Sequence, residues 1–368
     1  MAMTGATVGK VGRFRRTERA FLNQRVARIS ARNGRPFYDF VYAVLSLPGF
    51  DKLIEGISAG SAQANISATG IGNTPIPCLS EEDQIEIGKT ARVLDDKIAL
   101  LRETNVTLEA IAQALFKSWF VDFDPVRAKA EGRDPQGVPP EVADLFPSEF
   151  GDSELGVIPK GWRMATVGAV CAQIFSGGTP STQNTEYWNG ELPWFSSGET
   201  RNKIVIGTEK TITQAAVANS STRLAMPGDI LIASAGQGHT RGQTSYCAIE
   251  TYINQSVVSV RANPSVCHPG WLFYNLLRRY EEMRGLSDSH SIRGSLTTKL
   301  LAGMRLLLPD ARVMNAFSKL VTALLEAQVE NHRRMETLSS LRDTLLPQLM
   351  SGKLHIPEIQ KATEEATV

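Results

Sequence analysis

This sequence predicts an α+β fold built as a tandem repeat: a mixed α/β module followed by a long helix, twice over, with the two helices paired as an antiparallel coiled coil. Three observations support it, namely an internal repeat, two segments with heptad spacing, and short strand-like runs within the modules. A chain of 368 residues with 42% hydrophobic and 21% charged residues is typical of a two-domain globular protein.

The repeat appears as short strings that recur at a nearly constant separation. LNQRV at 22–26 returns as INQSV at 253–257, which is 231 residues later (Leu22 to Ile253), and Phe37-Tyr38 returns as Phe273-Tyr274. Such a long period indicates a duplicated supersecondary unit. At this separation residue 1 matches Ile232, so the residues from 161 up to Ile232 have no counterpart. We therefore expect the first module to lack its N-terminal half, through evolutionary truncation, a misassigned start codon or deliberate shortening.

Two segments have hydrophobic residues spaced alternately four and three apart, which is the a/d seam of a coiled coil. Asn105, Gln328, Asn331 and Arg342 interrupt these seams, so we expect the helices to pair with each other. If Ile87 lies opposite Leu345 in an antiparallel pair, Asn105 lies level with Gln328, and a contact between the two amides would fix the register. The alternative is that these polar side chains simply face solvent. The seam positions are Ile87, Ala91, Leu94, Ile98, Leu101, Asn105, Leu108, Ala112 and Leu115 in the first segment, and Phe317, Val321, Leu324, Gln328, Asn331, Met335, Leu338, Arg342 and Leu345 in the second.

Short apolar runs predict strands at 204–206, 229–232 and 257–260, and helices are predicted at 37–45 and 271–282. The predicted organisation is the C-terminal part of a first module at 1–80, its helix at 81–121, a Pro- and Gly-rich linker at 122–160, a second module at 161–310, its helix at 311–351 and a tail at 352–368.

Charge is unevenly distributed although the formal net charge is only +1. Lysine and arginine recur between Lys10 and Arg35 with Glu18 as the acidic exception. Such a basic ribbon suits a polyanion such as DNA, and a solvated strand-rich surface explains it equally well.

Motifs for catalysis are missing from the sequence. It contains no phosphate loop, no HExxH, no GxSxG and no paired-cysteine metal site, and Asp124-Pro125-Val126 is not the base-gripping motif of adenine methyltransferases. We therefore expect a recognition protein without enzymatic activity, cofactor or metal. No signal-peptide-like or membrane-length apolar run is present, so a cytoplasmic location without membrane contact is the default expectation.

Several long strings resemble one family closely. LFKSWFVDFDPVRAK at 115–129, LGVIPKGW at 155–162 and LxxLRDxLLPxLMSG at 338–352 are similar to the specificity subunit of type I restriction-modification enzymes. The resemblance implies two target recognition domains that each recognise one half of a split double-stranded DNA site, with two antiparallel helices that set the gap between the halves. It also implies methyltransferase (modification) subunits and a restriction and translocase subunit as partners. The alternative is a remnant or regulatory protein that binds methyltransferase subunits but recognises one half-site, and a fused enzyme is a third possibility.

Residues that specify sequence should differ between the copies and carry side chains that can pair with base edges. Shared residues such as Asn23-Gln24 and Asn254-Gln255 are expected to be scaffold. The DNA-binding candidates are Ser176, Thr179, Ser196, Ser197, Arg201, Lys203, Gln237, His239, Arg241, His290, Ser291 and Arg293 in the second copy, and Lys10, Arg13, Arg15, Arg16, Gln63 and Asn65 in the first. Phe116, Trp119, Phe120 and Phe123 form an aromatic cluster that we expect to dock a methyltransferase subunit, either by docking alone or by docking combined with packing; a core contact alone is the alternative.

Overall fold

The computed structural model describes residues 1–14, 19–31, 35–58, 65–154, 156–236, 238–290 and 295–354. The chain divides into two compact units, which we call unit 1 and unit 2. Unit 1 comprises Met1–Glu103 and Arg333–Val368, and unit 2 comprises Thr104–His332.

The described part of unit 1 consists of helices joined by irregular segments, with a short 3-10 turn at Gly5–Thr7 and isolated β-bridges that pair Ala2 with Val26 and Thr4 with Asn65. Its helices are α1 (Arg35–Leu45), α2 (Phe50–Ser58), α3 (Ala68–Gly72) and the first part of α4 (Glu81–Lys117). Helix α3 begins at Ser67, whose hydroxyl accepts a hydrogen bond from the Gly70 amide at 3.0 Å and so caps the helix. A Cβ at Gly88 would lie 2.6 Å from the Phe40 amide, so only glycine allows α1 and α4 to approach this closely.

Unit 2 contains the strands and further helices. Its strands are β1 (Phe150–Ser153), β2 (Gly156–Pro159), β3 (Arg163–Thr166), β4 (Cys171–Ser176), β5 (Trp188–Phe195), β6 (Ile204–Val205), β7 (Lys210–Ile212), β8 (Arg223–Ala225), β9 (Ile230–Ala233), β10 (Thr244–Cys247), β11 (Thr251–Ile253), β12 (Val257–Ala262) and β13 (Arg305–Leu308). Its helices after α4 are α5 (Asp124–Ala130), α6 (Pro140–Ala143), α7 (Val167–Val170), α8 (Gln214–Ala218), α9 (Pro269–Leu277), α10 (Tyr280–His290), α11 (Thr298–Gly303) and α12 (Ala311–Met350), the last of which continues into unit 1.

Two sheets form the centre of unit 2. One has the strand order β4-β12-β9-β10-β6 and the other the order β7-β5-β11-β8. Phe175 and Leu231 from the first sheet and Phe195 and Ile253 from the second lie in one buried apolar cluster, so the sheets share a core. The strand-like runs around residues 204, 230 and 257 are β6, β9 and β12, whereas the predicted helix at 271–282 is interrupted between α9 and α10.

The segment predicted as a linker, residues 122–160, is folded. It contains α5, α6, β1 and β2, and Val126 and Phe146 are buried in the main core of unit 2. Pro125 and Pro140 lie in the first turns of α5 and α6, where proline is tolerated, and buried apolar side chains anchor the segment to the core.

The two long helices pair in an antiparallel arrangement within each unit. In unit 1, Leu94 and Leu338 share a buried cluster, and Arg342 Nη1 donates to Asp95 Oδ1 at 2.8 Å. In unit 2, the Phe116 and Phe317 rings lie 5.7 Å apart between centroids. Within unit 1 the α12 partners run from Leu345 near Ile87 to Leu338 near Leu94, so the partner number falls along α12 as it rises along α4. Within unit 2 they run in the same way from Asn331 at Asn105 to Phe317 at Phe116. The fold class predicted from the sequence is confirmed.

Asn105 forms the expected polar layer in unit 2, with a different partner. Its side-chain amide donates to the backbone oxygen of Gln328 at 3.2 Å, and Asn331 donates to Asn105 Oδ1 at 2.8 Å. Asn105 and Gln328 are 7% and 3% exposed, so these amides are within the seam and do not face solvent. The amide that pairs with Asn105 is thus Asn331, while Gln328 contributes its carbonyl.

The internal repeat is visible in matching hydrogen bonds within each unit. The Met3 amide donates to the Arg25 oxygen at 2.9 Å, as the Ser234 amide does to the Ser256 oxygen at 2.8 Å. The Ile66 amide donates to the Met3 oxygen at 2.9 Å, as the Leu296 amide does to the Ser234 oxygen at 2.8 Å. The Val26 amide donates to the Asn23 oxygen and the Val257 amide to the Asn254 oxygen, both at 3.2 Å. Asn23 Oδ1 also accepts from the Arg25 amide and Asn254 Oδ1 from the Ser256 amide, at 2.9 and 3.0 Å. The shared asparagines therefore shape the same turn in both copies.

Candidate nucleic-acid interface

A cleft of about 820 Å³ in unit 2 lies between the C-terminal part of α4 and loops of the recognition module. Ala110, Ala114 and Leu277 contribute to its apolar lining, and basic side chains are spaced around it. These are Lys117, Arg201, Lys203, His239 and Arg278. The cleft thereby brings the candidate His239 to the neighbouring candidates Arg201 and Lys203, which lie more than 30 residues earlier in the sequence.

Hydrogen bonds from side chains hold the turn that carries Arg201. Ser196 donates through its backbone amide and its hydroxyl to Glu199 Oε1, at 2.8 and 2.9 Å, which closes a capping box. Ser197 contributes its carbonyl oxygen, which accepts from the Thr200 hydroxyl at 2.7 Å. Ser196 therefore stabilises the turn. Arg201 extends from it with an exposed side chain, whose Nη1 donates to the Gly198 oxygen at 2.6 Å and whose Nη2 forms an ion pair with Glu209.

Lys203 links the recognition module to the long helix. Its Nζ donates to Glu109 Oε1 at 3.0 Å; the lysine side chain is 50% exposed and the glutamate side chain 12%. The Glu109 Oε2 atom is buried without a hydrogen-bond partner in the described part of the chain. Lys203 therefore neutralises the negative charge of the largely buried Glu109, while half of the lysine side chain remains accessible to a ligand.

The loop that carries His239 is held against α10. Tyr280 donates its hydroxyl to the His239 oxygen at 2.9 Å, and Arg284 Nη1 donates to the Gly238 oxygen at 2.6 Å. Arg241 is only 12% exposed and its guanidinium binds Asp288. This geometry leaves the His239 imidazole exposed and favours a positioning role for Arg241 over direct contact with a base.

Ser176 and Thr179 lie at the end of β4, both exposed. The Thr179 hydroxyl donates to Gln255 Oε1, so this threonine is tied to the repeated Asn-Gln turn. Neither residue lines the cleft, and they form a second group of accessible polar side chains on unit 2.

The candidates in unit 1 are dispersed. Arg13 binds Asp39 at 3.0 Å and its guanidinium lies 4.4 Å from the centre of the Tyr42 ring, with the side chain 19% exposed. It is therefore a packing and ion-pair residue, whereas Lys10 and Asn65 are exposed. Arg15, Arg16, Gln63, Gln237, Ser291 and Arg293, together with the side chain of His290, lie outside the described residues.

The aromatic cluster is part of the core, which corrects the expectation of an exposed docking surface. Phe116, Trp119 and Phe120 are 2%, 1% and 8% exposed, and the Phe120 ring packs edge-on against Phe317 at 4.9 Å. Phe123 is half-buried and packs against Trp162. Helix α4 ends here in a single π turn, Ser118–Asp122, which directs these rings inward, so core packing explains the cluster.

Sequence reasoning did not identify Lys117, Arg278 or Glu109. Arg278 lies where α9 ends, and burial together with the neighbouring Arg279 lowers its pKa, so an anion in the cleft would stabilise its charged form. Glu109 and Arg278 lie outside the family-like strings, and the string at 115–129 does not show that Lys117 faces the cleft. The apolar period locates the helices but does not indicate which polar side chains face the module.

Two general features of the described residues bear on function. No group of three or more histidine, cysteine, aspartate or glutamate side chains is arranged there to hold a metal ion. Within the same residues, neither long helix nor any other is apolar over a sufficient length to cross a membrane.

Comparison with known proteins gives consistent similarities. The chain is 28% identical over 346 residues to the Type I restriction enzyme HindI specificity subunit of Haemophilus influenzae, covering 83% of this chain and 74% of that protein. It is 23% identical over 326 residues to the Type I restriction enzyme MjaIX specificity subunit of Methanocaldococcus jannaschii, covering 87% and 70%. No family model matches the chain.

A solved structure shows the same fold. The Type-I restriction-modification system S subunit from M. genitalium superposes with a TM-score of 0.56 at 15% identity, covering 86% of this chain and 74% of that one. The similarity in fold and in sequence thus supports the resemblance carried by the strings at 115–129, 155–162 and 338–352. This chain is a homologue of the specificity subunits of type I restriction enzymes.

Proposed function

We propose that this chain is the DNA-sequence-specificity subunit of a type I restriction-modification complex and has no catalytic activity of its own. The observation that carries the proposal is the repeated module with its paired helices, together with 28% identity over 83% of the chain to a protein of that name. Methyl transfer and DNA cleavage would come from modification and restriction subunits bound to it.

The cleft of unit 2 has the chemistry that duplex DNA requires. Arg201, Lys203 and Lys117 are each paired with a carboxylate in the free chain, and in the proposed complex phosphates take the place of those carboxylates. The exposed His239 supplies ring nitrogens that can pair with base edges. With these basic side chains around the cleft, we expect the affinity for DNA to fall steeply as the salt concentration rises, because each phosphate contact releases counterions.

The contact with a modification subunit must use other residues than the buried aromatic cluster. Val93 and Leu100 on α4, one heptad apart and therefore on one face of the helix, are 51% and 58% exposed. We propose this face as the contact, because exposed apolar side chains on a long helix are typical of a partner helix.

Reconstitution tests the proposal. The purified chain is mixed with the modification subunits of a type I system, S-adenosylmethionine and duplex DNA, and methyl transfer is measured for the mixture and for each component alone. We expect methylated DNA from the mixture only. Leu100→Asp should abolish assembly, measured by light scattering, while the exposed control Val157→Asp should not. Methylation by the chain alone, or an assembled complex that ignores DNA sequence, would refute the proposal.

A further inference from the structure

Both copies of the repeat contain a loop with the same hydrogen-bonded base. In unit 1 the Gly9 amide donates to the Ala2 oxygen at 3.0 Å, and in unit 2 the Gly242 amide donates to the Ala233 oxygen at 2.9 Å. Ala2 and Ala233 donate in return to the oxygen of the residue after each glycine, at 2.8 and 3.0 Å. Both glycines have a left-handed backbone, with φ angles of 81° and 87°. Gly9 and Gly242 are therefore equivalent positions of the repeat.

The loop of unit 2 is two residues longer than its counterpart, since residues 3–8 lie between the anchors in unit 1 and residues 234–241 in unit 2. The residue before the glycine also differs in its surroundings. Val8 is 2% exposed in the apolar core of unit 1, whereas Arg241 forms an ion pair with Asp288. An apolar side chain thus holds the shorter loop, and polar contacts hold the longer one.

One face of α10 supplies these polar contacts. Tyr280, Arg284 and Asp288 are spaced four residues apart, so they lie on the same side of the helix. The Tyr280 hydroxyl donates to the His239 oxygen at 2.9 Å, and Arg284 Nη1 donates to the Gly238 oxygen at 2.6 Å. The extended part of the loop is therefore bound to the helix through its backbone, which leaves the His239 side chain exposed.

Arg284 is the central residue of this face. Its Nη1 also donates to the Tyr280 hydroxyl at 2.9 Å, and its guanidinium lies 5.6 Å from the centre of the Tyr280 ring. A Cβ at Gly242 would lie 3.5 Å from Arg284 Cγ, so the base of the loop packs against this side chain as well. Among the described residues, His239 lines the cleft and Arg284 does not. Arg284 thus contacts the loop, while the loop faces the cleft.

We propose that Arg284 is a positioning residue for base recognition, which sets the orientation of His239 without touching DNA. The proposal rests on the proposed DNA function of the cleft. Gly236, Gly238 and Gly242 all have positive φ angles, and a loop so rich in glycine has many accessible conformations. Ordering such a loop during binding would cost affinity for the preferred base. Arg284 orders the loop beforehand, so the imidazole meets a base edge in one orientation.

Hydrogen exchange on the free full-length chain tests the hold on the loop. We expect Arg284→Ala to speed exchange of the Gly242 and Gln243 amides about tenfold or more, because these hydrogen-bonded amides at the loop base open once the loop is released. Arg284→Lys retains a donor and should restore most of the protection. Arg312→Ala removes an exposed arginine that also pairs with a carboxylate, and should change nothing. Unchanged exchange in Arg284→Ala would overturn the proposal.

Competition between DNAs for the assembled complex tests the consequence. We expect Arg284→Ala to lower the affinity ratio between the preferred site and a one-base change about fivefold or more, at the position that His239→Ala also affects. The affinity for unrelated DNA and its salt dependence should stay as in the unaltered chain, because no phosphate contact is lost. Arg284→Lys should recover the discrimination, and Arg312→Ala should retain it.

Two results would overturn the proposal while the proposed function stands. One is full discrimination in Arg284→Ala. The other is an equal loss of affinity for all DNAs with a salt slope reduced by about one, which would make Arg284 a phosphate contact. An unaltered complex that ignores DNA sequence would refute the proposed function and this proposal together, even if Arg284→Ala speeds exchange in the free chain.

Discussion

At the scale of single residues, the structure separates side chains that hold loops from those that face outward. Ser196 and Arg241 stabilise turns, whereas Arg201 is exposed at the mouth of the cleft. We predict that Arg201→Ala reduces discrimination between the preferred and a changed base by about 1–3 kcal/mol, because a guanidinium can pair with two acceptors on one base. Binding to both DNAs is measured by competition with the assembled complex. The exposed Arg163→Ala serves as the control, and equal loss for both DNAs would assign Arg201 to phosphate binding instead.

Cysteine reactivity gives a second test at this scale. Burial raises the pKa of Cys171, Cys247 and Cys267 to about 12, and Cys78 is exposed. The raised pKa keeps these three thiols protonated at pH 8, and the thiolate is the reactive form. We therefore expect Cys78 alone to react rapidly with a thiol reagent at pH 8 in the folded chain. Cys78→Ser should abolish the rapid phase, and all four thiols should react in denaturant; fast labelling of Cys247 in the folded chain would contradict this packing.

At the scale of elements, the polar layer in the helix pair has a measurable role. Asn105→Ala leaves the Asn331 amide without its acceptor in a buried seam, and we expect a loss of about 1–3 kcal/mol in unfolding free energy. Replacing Asn105 and Asn331 together by leucine should cost less, because no unpaired group is left. Urea unfolding measures both, with the exposed Val106→Ala as a control expected to change little. An unchanged midpoint for Asn105→Ala would show that the layer does not stabilise the pair.

The long helices also carry the proposed spacing of the DNA site. Inserting seven residues between Leu101 and Asn105, with a matching insertion near Gln328, preserves the heptad seam and lengthens the helix pair by about 10 Å. We expect the selected spacer between half-sites to lengthen by about three base pairs, at roughly 3.4 Å each. Sequencing of sites bound by the assembled complex measures this. An unchanged spacer would contradict a spacing role for the helices.

Elements with a local period were predictable, and contacts between distant segments were not. Heptad spacing located α4 and α12 because seam residues such as Leu94 and Leu338 repeat every three or four positions. The pairing of Lys203 with Glu109 joins a loop to a helix face and leaves no periodic signal. The aromatic residues around Trp119 are buried although their sequence also suits an exposed docking surface, because the local sequence does not reveal the π turn at Ser118–Asp122 or the core that these rings join.

At the scale of the whole molecule, duplication is the organising feature. Matching hydrogen bonds at Met3 and Ser234 show that the repeat found in short strings is a repeat of structure. The copies differ in strand content, since the described part of unit 1 has only isolated bridges where unit 2 has four sheets. This difference predicts that base discrimination belongs mainly to the second module.

In the proposed function, residues 161–310 determine part of the DNA sequence that a type I complex recognises. The most direct measurement is the motif selected from random duplex DNA by the complex, compared between this chain and a chimera carrying the corresponding module of the Haemophilus influenzae relative. We predict that one half-site changes to a different sequence while the spacer and the remainder of the motif are retained. An unchanged motif in the chimera, or no motif with either protein, would contradict the account.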